Sequence, residues 1–140
     1  MPRVKLFKPK SFDFETILYL RIYDINYGGH MGNDTVLRLA HEARIKFLNS
    51  LDLCEKDFYG SGLIMADSAI VYKQQAFYGD KLTIQVSVTE LYPYGFDLFY
   101  LIINTDSNLE VARLKTGLVC YDYIHKKVVD LSPDFKEKFG

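Results

Sequence analysis

One segment of the chain, Thr35 to Leu51, repeats its apolar residues at helical spacing, and the runs on either side of it alternate with the period of a strand. Val36, Ala40, Ala43 and Phe47 recur three to four residues apart, and Leu37, Leu39, Leu48 and Leu51 widen the stripe to about half the helix circumference at about 100° per residue. A stripe that broad predicts a helix wrapped by other structure. Before it, Phe12, Phe14, Thr16, Leu18, Leu20 and Ile22 alternate with mostly polar or amphipathic residues, the pattern of a half-buried strand. After it come strand-like runs at Leu63 to Ala76, Lys81 to Tyr92, Phe96 to Asn104 and Glu110 to Tyr121, separated by Tyr-Gly-Asp, Pro-Tyr-Gly and Asp-Ser-Asn turns. Short connections imply antiparallel pairing. The expected architecture is α+β, with one helix and an antiparallel sheet of five or six strands in a single domain over residues 1–140 and a frayed charged tail after Pro133.

The segment Tyr23-Asp24-Ile25-Asn26-Tyr27-Gly28-Gly29-His30-Met31-Gly32-Asn33-Asp34 delivers the start of that helix through a polar, glycine-rich turn. A helix N-terminus presents backbone N–H groups without intrahelical partners and the positive end of the helix dipole, so it can polarise a carbonyl or hold an anion. Asn33 or Asp34 is the expected N-cap.

Charge and cysteine content narrow the function classes. The formal net charge is −1 at pH 7, without the basic excess of proteins that neutralise nucleic-acid phosphates, so no nucleic-acid partner is expected. The two cysteines, Cys54 and Cys120, have no metal-ligand spacing and read as reduced, buried thiols; no metal site is expected. The longest apolar run, Leu98 to Ile103, is too short to span a bilayer, and the basic N-terminus is not followed by a signal-like apolar stretch. A cytoplasmic protein with no membrane association is the expectation.

The order of a strand, the Asp24-to-Asn33 turn, a helix carrying His41-Glu42-Ala43-Arg44-Ile45-Lys46-Phe47-Leu48, and then strands with Tyr72, Tyr78-Gly79-Asp80-Lys81-Leu82, Val111-Ala112 and Thr116-Gly117 resembles the hotdog-fold thioesterases, the 4-hydroxybenzoyl-CoA thioesterase-like family. The turn is similar to the family's Asp-x-Asp-x-x-Gly-His-Val-Asn-Asn, and the helix to its Glu-x-Ala-Arg signature followed by Phe-Leu. The resemblance covers nearly the whole chain. It implies a sheet curled around the helix, a homodimer with sheets joined edge to edge, assembly into a tetramer as a further option, and acyl-thioester sites at the dimer interface. It also implies a substrate that is an acyl-CoA or an acyl-carrier-protein thioester, with no separate cofactor, coenzyme A being part of the substrate. Two positions depart from the pattern: the family's catalytic Asp falls on Asn26 and its helix Glu on His41.

The candidate catalytic residues are Asn26, His41, Asn33, His30 and Asp24. Asn26 can donate and accept hydrogen bonds but is no base at neutral pH, so its role is to orient water or a thioester carbonyl, the alternative being an Asx-turn that shapes the loop. His41 falls at the border of the apolar arc, and a neutral imidazole is a competent general base near pH 7; the alternative is an ordinary hydrogen bond on a helix flank. Asn33 matches the place where related enzymes donate a backbone N–H to the thioester carbonyl. His30 contacts substrate or ties the turn together. Asp24 matches the non-catalytic acid of the family turn and is expected to be structural, with service as a base held as an alternative. Gly32, Asp34, Asp67 and Lys73 are the candidate substrate contacts; Asp67 either faces solvent from its strand or enters a pocket. Arg44 and Glu42 are expected to form pairs on the helix surface or at an interface. These residues describe a thioesterase with an Asn/His pair in place of the usual carboxylates; a non-catalytic acyl-thioester-binding protein of the same fold is the alternative from another class.

Overall fold

A computed structural model describes residues 3–140. Its elements are strand β1 (Phe14–Tyr19), a short 3-10 turn (Ile22–Asp24), helix α1 (Thr35–Ser50), strands β2 (Gly62–Tyr72), β3 (Lys81–Tyr92), β4 (Gly95–Asn104), β5 (Glu110–Asp122) and β6 (Lys127–Val128), and helix α2 (Pro133–Phe139). The sheet is antiparallel with the order β1-β3-β4-β5-β2, and β6 pairs with β5 outside that path. This is the expected α+β arrangement of an antiparallel sheet, here six-stranded, around a principal helix, except that the short Tyr-Gly-Asp connection joins two strands that do not pair: β2 pairs with β5, and β3 with β1 and β4. Among the described residues no helix is long and apolar enough to cross a membrane.

The helical stripe lies where its periodicity put it. Val36, Leu39, Ala40, Ala43, Phe47 and Leu48 are buried against the sheet, whose inward residues Leu82, Ile84, Val86, Phe96, Leu98, Tyr100 and Ile102 are fully enclosed. Each fully buried Leu, Ile or Phe contributes about 1.5–3 kcal/mol relative to exposure, so this interface dominates the stability. Ala40 and Ala43, with no side chain beyond Cβ, leave room for the sheet to curl around the helix. The helix ends in a Schellman motif: Leu53 N–H donates to Leu48 C=O at 2.9 Å and Asp52 N–H to Asn49 C=O at 3.0 Å, with Asp52 at φ 59° in the left-handed position usually held by glycine. The chain therefore turns back immediately and runs along α1 toward β2, where Leu63 N–H donates to the carbonyl of Glu55 at 2.8 Å.

Several expectations need correction. The tail after Pro133 is not frayed: it forms α2, Ser132 Oγ caps it by accepting from Asp134 N–H at 3.2 Å, and Phe135 is fully buried with its ring 4.5 Å from that of Phe96 and 5.1 Å from that of Phe58. A charged sequence concealed an amphipathic helix of about two turns whose aromatic anchors find the core. β1 and β2 stop short of the expected ends: β1 at Tyr19, after which Leu20 N–H goes to the Asp80 carbonyl and Ile22–Asp24 turn as a 3-10 helix, and β2 at Tyr72, after which residues 73–76 form a loop against the turn with the Ala76 carbonyl taken by Met31 N–H. Cys120 is buried as expected, but Cys54 is exposed. The sheet's outward face is not simply wet: Phe99 and Leu101 are buried there, and the N-terminal segment crosses it, with the Phe12 ring 6.4 Å from Phe99, Asp13 accepting from Val88 N–H at 2.8 Å and Arg113 donating to the Leu6 carbonyl at 2.8 Å.

Candidate active site

The glycine-rich turn is closed by its own backbone. Asn26 N–H donates to His30 C=O at 2.8 Å and Gly29 N–H to Asn26 C=O at 3.1 Å, with Gly29 at φ 84°, a conformation that L side chains rarely adopt. Asn26 Oδ1 accepts from Gly28 N–H at 2.8 Å. That is the Asx-turn foreseen for Asn26, and it engages only the oxygen; among the described residues the side-chain amide Nδ2 has no protein partner, leaving a donor at an exposed position.

Asp24 is buried, and its side-chain bond lies within the turn. Its Oδ2 accepts from Arg21 N–H at 2.8 Å, and its backbone carbonyl receives Gly32 N–H and Thr35 Oγ1, both at 3.1 Å. Those bonds pin the turn to the first residue of α1. Asp34 occupies the N-cap position in helical conformation, but its side chain caps nothing and extends into solvent 3.9 Å from Arg38. The expected side-chain cap is thus missing, and the helix mouth stays open.

The peptide planes at that mouth are set by their carbonyls. Gly32 C=O accepts from Thr35 N–H at 3.1 Å, which orients the Asn33 N–H; Asn33 C=O accepts from the Tyr72 hydroxyl at 3.1 Å, which orients the Asp34 N–H. Neither N–H has a protein acceptor among the described residues. Two adjacent backbone donors, held in place and unpaired at the positive end of a 16-residue helix, suit a carbonyl oxygen that gains negative charge.

Two hollows flank this mouth and share Gly32. One, of about 220 Å³, is lined by Tyr23, Asn26, Asp34, Thr35 and Arg38 among others; the second, of about 280 Å³, by His30, Asn33, Tyr72, Lys73 and Ala76 among others. Asp24, Asn26, Asn33, His30, Gly32, Asp34 and Lys73 are therefore brought together around the start of α1. His30 is tied down by its Nδ1, 3.2 Å from the Met31 carbonyl. A larger hollow of about 520 Å³ between β1 and α1 shares Asp24 and Arg38 with the first, but neither Asn33 nor Asp34 lines it.

His41 and Asp67 lie apart from this cluster within the chain. Asp67 projects from β2 into solvent and pairs with Lys115 Nζ at 2.8 Å, an ion pair that holds its carboxyl below the usual carboxylate range. His41 borders a different hollow, of about 480 Å³, with Arg44, Glu55, Lys56, Leu63 and Tyr123. Its Nε2 is 2.8 Å from Glu55 Oε1, and Arg44 Nε donates to Glu55 Oε2 at 3.1 Å. Arg44 forms an ion pair, as expected, but from a buried position and not on the helix surface: it also donates to the Tyr100 hydroxyl at 3.1 Å, which in turn lies 2.8 Å from Thr116 Oγ1. Glu42 is exposed as expected. Glu55 is the residue that the sequence reading missed, because it follows the helix and no periodicity ties it to His41.

The model of the thioesterase-like superfamily matches residues 20–139 of this sequence. The chain belongs to that superfamily. No curated protein matches significantly. Among solved structures, this thioesterase-like chain is similar to a 1,4-dihydroxy-2-naphthoyl-CoA thioesterase from Synechocystis, with 22% identity and a TM-score of 0.81 over 90% of this chain and 94% of that one. It is also similar to a DHNA-CoA thioesterase from Staphylococcus aureus, with 20% identity and a TM-score of 0.79 over 88% and 85% of the two chains. A probable thioesterase from Escherichia coli follows at 21% identity and a TM-score of 0.74 over 90% and 96%. At such identities the likeness establishes the hotdog fold and nothing about substrate.

Proposed function

We propose that this member of the thioesterase-like superfamily hydrolyses acyl-CoA thioesters at the mouth of α1. The observation that carries the reading is the pair of fixed, unpaired N–H groups of Asn33 and Asp34 beside the free amide of Asn26. The thioester carbonyl oxygen accepts from these donors, and the Asn26 Nδ2 holds either that oxygen or the attacking water. Water adds to the acyl carbon while a base takes its proton; the C–S bond then breaks, and the thiolate of coenzyme A takes a proton as it leaves. Lys73, at the rim, suits an anionic part of the coenzyme.

His41 is the base in this reading, supplied by a second copy of the chain. β2 ends the sheet with one edge free, and its central residues Met65, Ala66, Asp67 and Ser68 are all exposed. Antiparallel pairing of two such edges about the middle of that run sets the beginning of one β2, where Leu63 borders the His41 hollow, against the end of the other, where Tyr72 borders the turn. A homodimer formed this way brings His41 of the partner subunit toward Asn26 and Asn33.

The test is release of free thiol from a panel of aliphatic and aromatic acyl-CoAs by the parent protein, Asn26→Ala and His41→Ala. Removal of a donor to the developing oxyanion typically costs about 10²–10³ in turnover. Near-parental turnover by both variants rejects the Asn/His site. Acyl-CoA binding without any turnover assigns the fold a binding role instead.

A further inference from the structure

We propose that Glu55 is a positioning residue for His41, so that a carboxylate from the segment after the helix stands beside the histidine that occupies the acidic position of the helix signature. The inference rests on the reading of His41 as the base. Its own support is geometric. His41 is on the exposed side of α1, with 55% of its side chain accessible, and a histidine there would ordinarily sample several rotamers. Here its Nε2 is held 2.8 Å from Glu55 Oε1.

Glu55 is in turn fixed from two sides. Arg44, three residues after His41 and on the same helix face, grips the other carboxylate oxygen at 3.1 Å, and the Glu55 carbonyl is bonded to Leu63 of β2. Arg44 cannot swing away: it is buried, and its second arm reaches the enclosed Tyr100 hydroxyl. The chain of contacts therefore runs from the sheet interior, through a guanidinium and a carboxylate, to an imidazole at the surface of a hollow.

The arrangement leaves one ring nitrogen of His41 open. Both oxygens of Glu55 are engaged, Oε1 by His41 and Oε2 by the permanent cation of Arg44. With Nε2 bearing the proton that Glu55 accepts, Nδ1 of His41 keeps its lone pair, and among the described residues Nδ1 has no protein partner. When His41 takes a proton from water, the imidazolium formed lies against a carboxylate already in place, the role an acid plays behind a catalytic histidine in hydrolytic triads.

Turnover by the parent protein, His41→Ala, Glu55→Gln and the double variant tests this. Glu55→Gln is expected to lower kcat about tenfold or more, part of the roughly 10²–10⁴-fold worth of general-base assistance that it supports through His41, with KM changed by less than about twofold. In the His41→Ala background the same substitution is expected to change kcat by less than about twofold, because a residue that acts through His41 has nothing left to position. Full additivity, or an unimpaired Glu55→Gln, overturns the proposal while leaving His41 as the base. An unimpaired His41→Ala, or no turnover by the parent protein, overturns the underlying reading and this inference with it. A second measurement requires no folded Glu55 variant: nitrogen-15 histidine spectra of the parent protein, assigned by the signal lost in His41→Ala, are expected to show neutral His41 protonated on Nε2 alone, and a substantial Nδ1–H population overturns the proposal.

Discussion

The hydroxyl of Tyr72, at the end of β2, donates to the backbone carbonyl of Asn33 at 3.1 Å and so links the sheet edge to the mouth of α1. Because that carbonyl shares a peptide plane with the Asp34 N–H, the bond orients one of the two free donors. Tyr72→Phe is expected to lower kcat several-fold while reducing stability by no more than about 1 kcal/mol, the net worth of a typical hydrogen bond. Steady-state kinetics alongside urea unfolding checks this. Loss of stability without loss of kcat would show that the bond serves the fold alone.

The free edge of β2 is where the proposed homodimer would form. Met65 is 48% exposed in the isolated chain, near the middle of that edge. Met65→Lys places a charge where each copy would meet its own duplicate and is expected to shift the protein from dimer to monomer, with turnover falling in parallel if His41 acts across the interface. Light scattering and thiol-release assays on the same samples measure both. A fully active monomer would place the whole site within one chain.

Phe135 is enclosed by the rings of Phe58, Phe96 and Phe139, at centroid distances of 5.1, 4.5 and 4.7 Å. Phe135→Ala is expected to cost about 3–5 kcal/mol, the range for deleting a buried aromatic ring. Chemical denaturation reads the loss directly. A change below 1 kcal/mol, on the order of a surface substitution, would mean that α2 is dispensable to the core.

Asp67 separates a solvent role from a substrate role. Its hydrogen bond with Lys115 lowers its pKa below the unfolded value, so the stabilisation it provides is present above the ordinary carboxylate range, near pH 4, and is lost as pH falls through the lower folded value. Because the side chain is largely exposed, Asp67→Asn is expected to cost less than about 1 kcal/mol at neutral pH, with parent and variant converging in acid. Turnover is expected to stay within about twofold of the parent, as befits a surface pair. A large loss of kcat with retained stability would return Asp67 to the site.

Local information in the chain determined a good deal. The change from strand to helical period at Thr35, the glycine turn before it and the short turns after it define α1 and the β3–β4–β5 meander, because backbone sterics and one-sided burial act over a few residues at a time, whereas the pairing of β2 with β5 was not legible in its short connection to β3. The same turn carried Asn26, Gly32 and Asn33 to the helix mouth, where the structure places them together. The partnership of His41 with Glu55 was invisible to any such pattern: it depends on the Schellman turn at Asp52 reversing the chain and on Arg44 being drawn under the sheet to Tyr100, 56 residues further on. The burial of Phe135 behind a charged tail, and the separation of His41 from Asn26 within one chain, likewise follow from how the sheet closes around α1. Contacts between residues distant in sequence are chosen by packing, and packing is a property of the assembled layers; a residue's neighbours along the chain specify its conformation far more tightly than its companions in space.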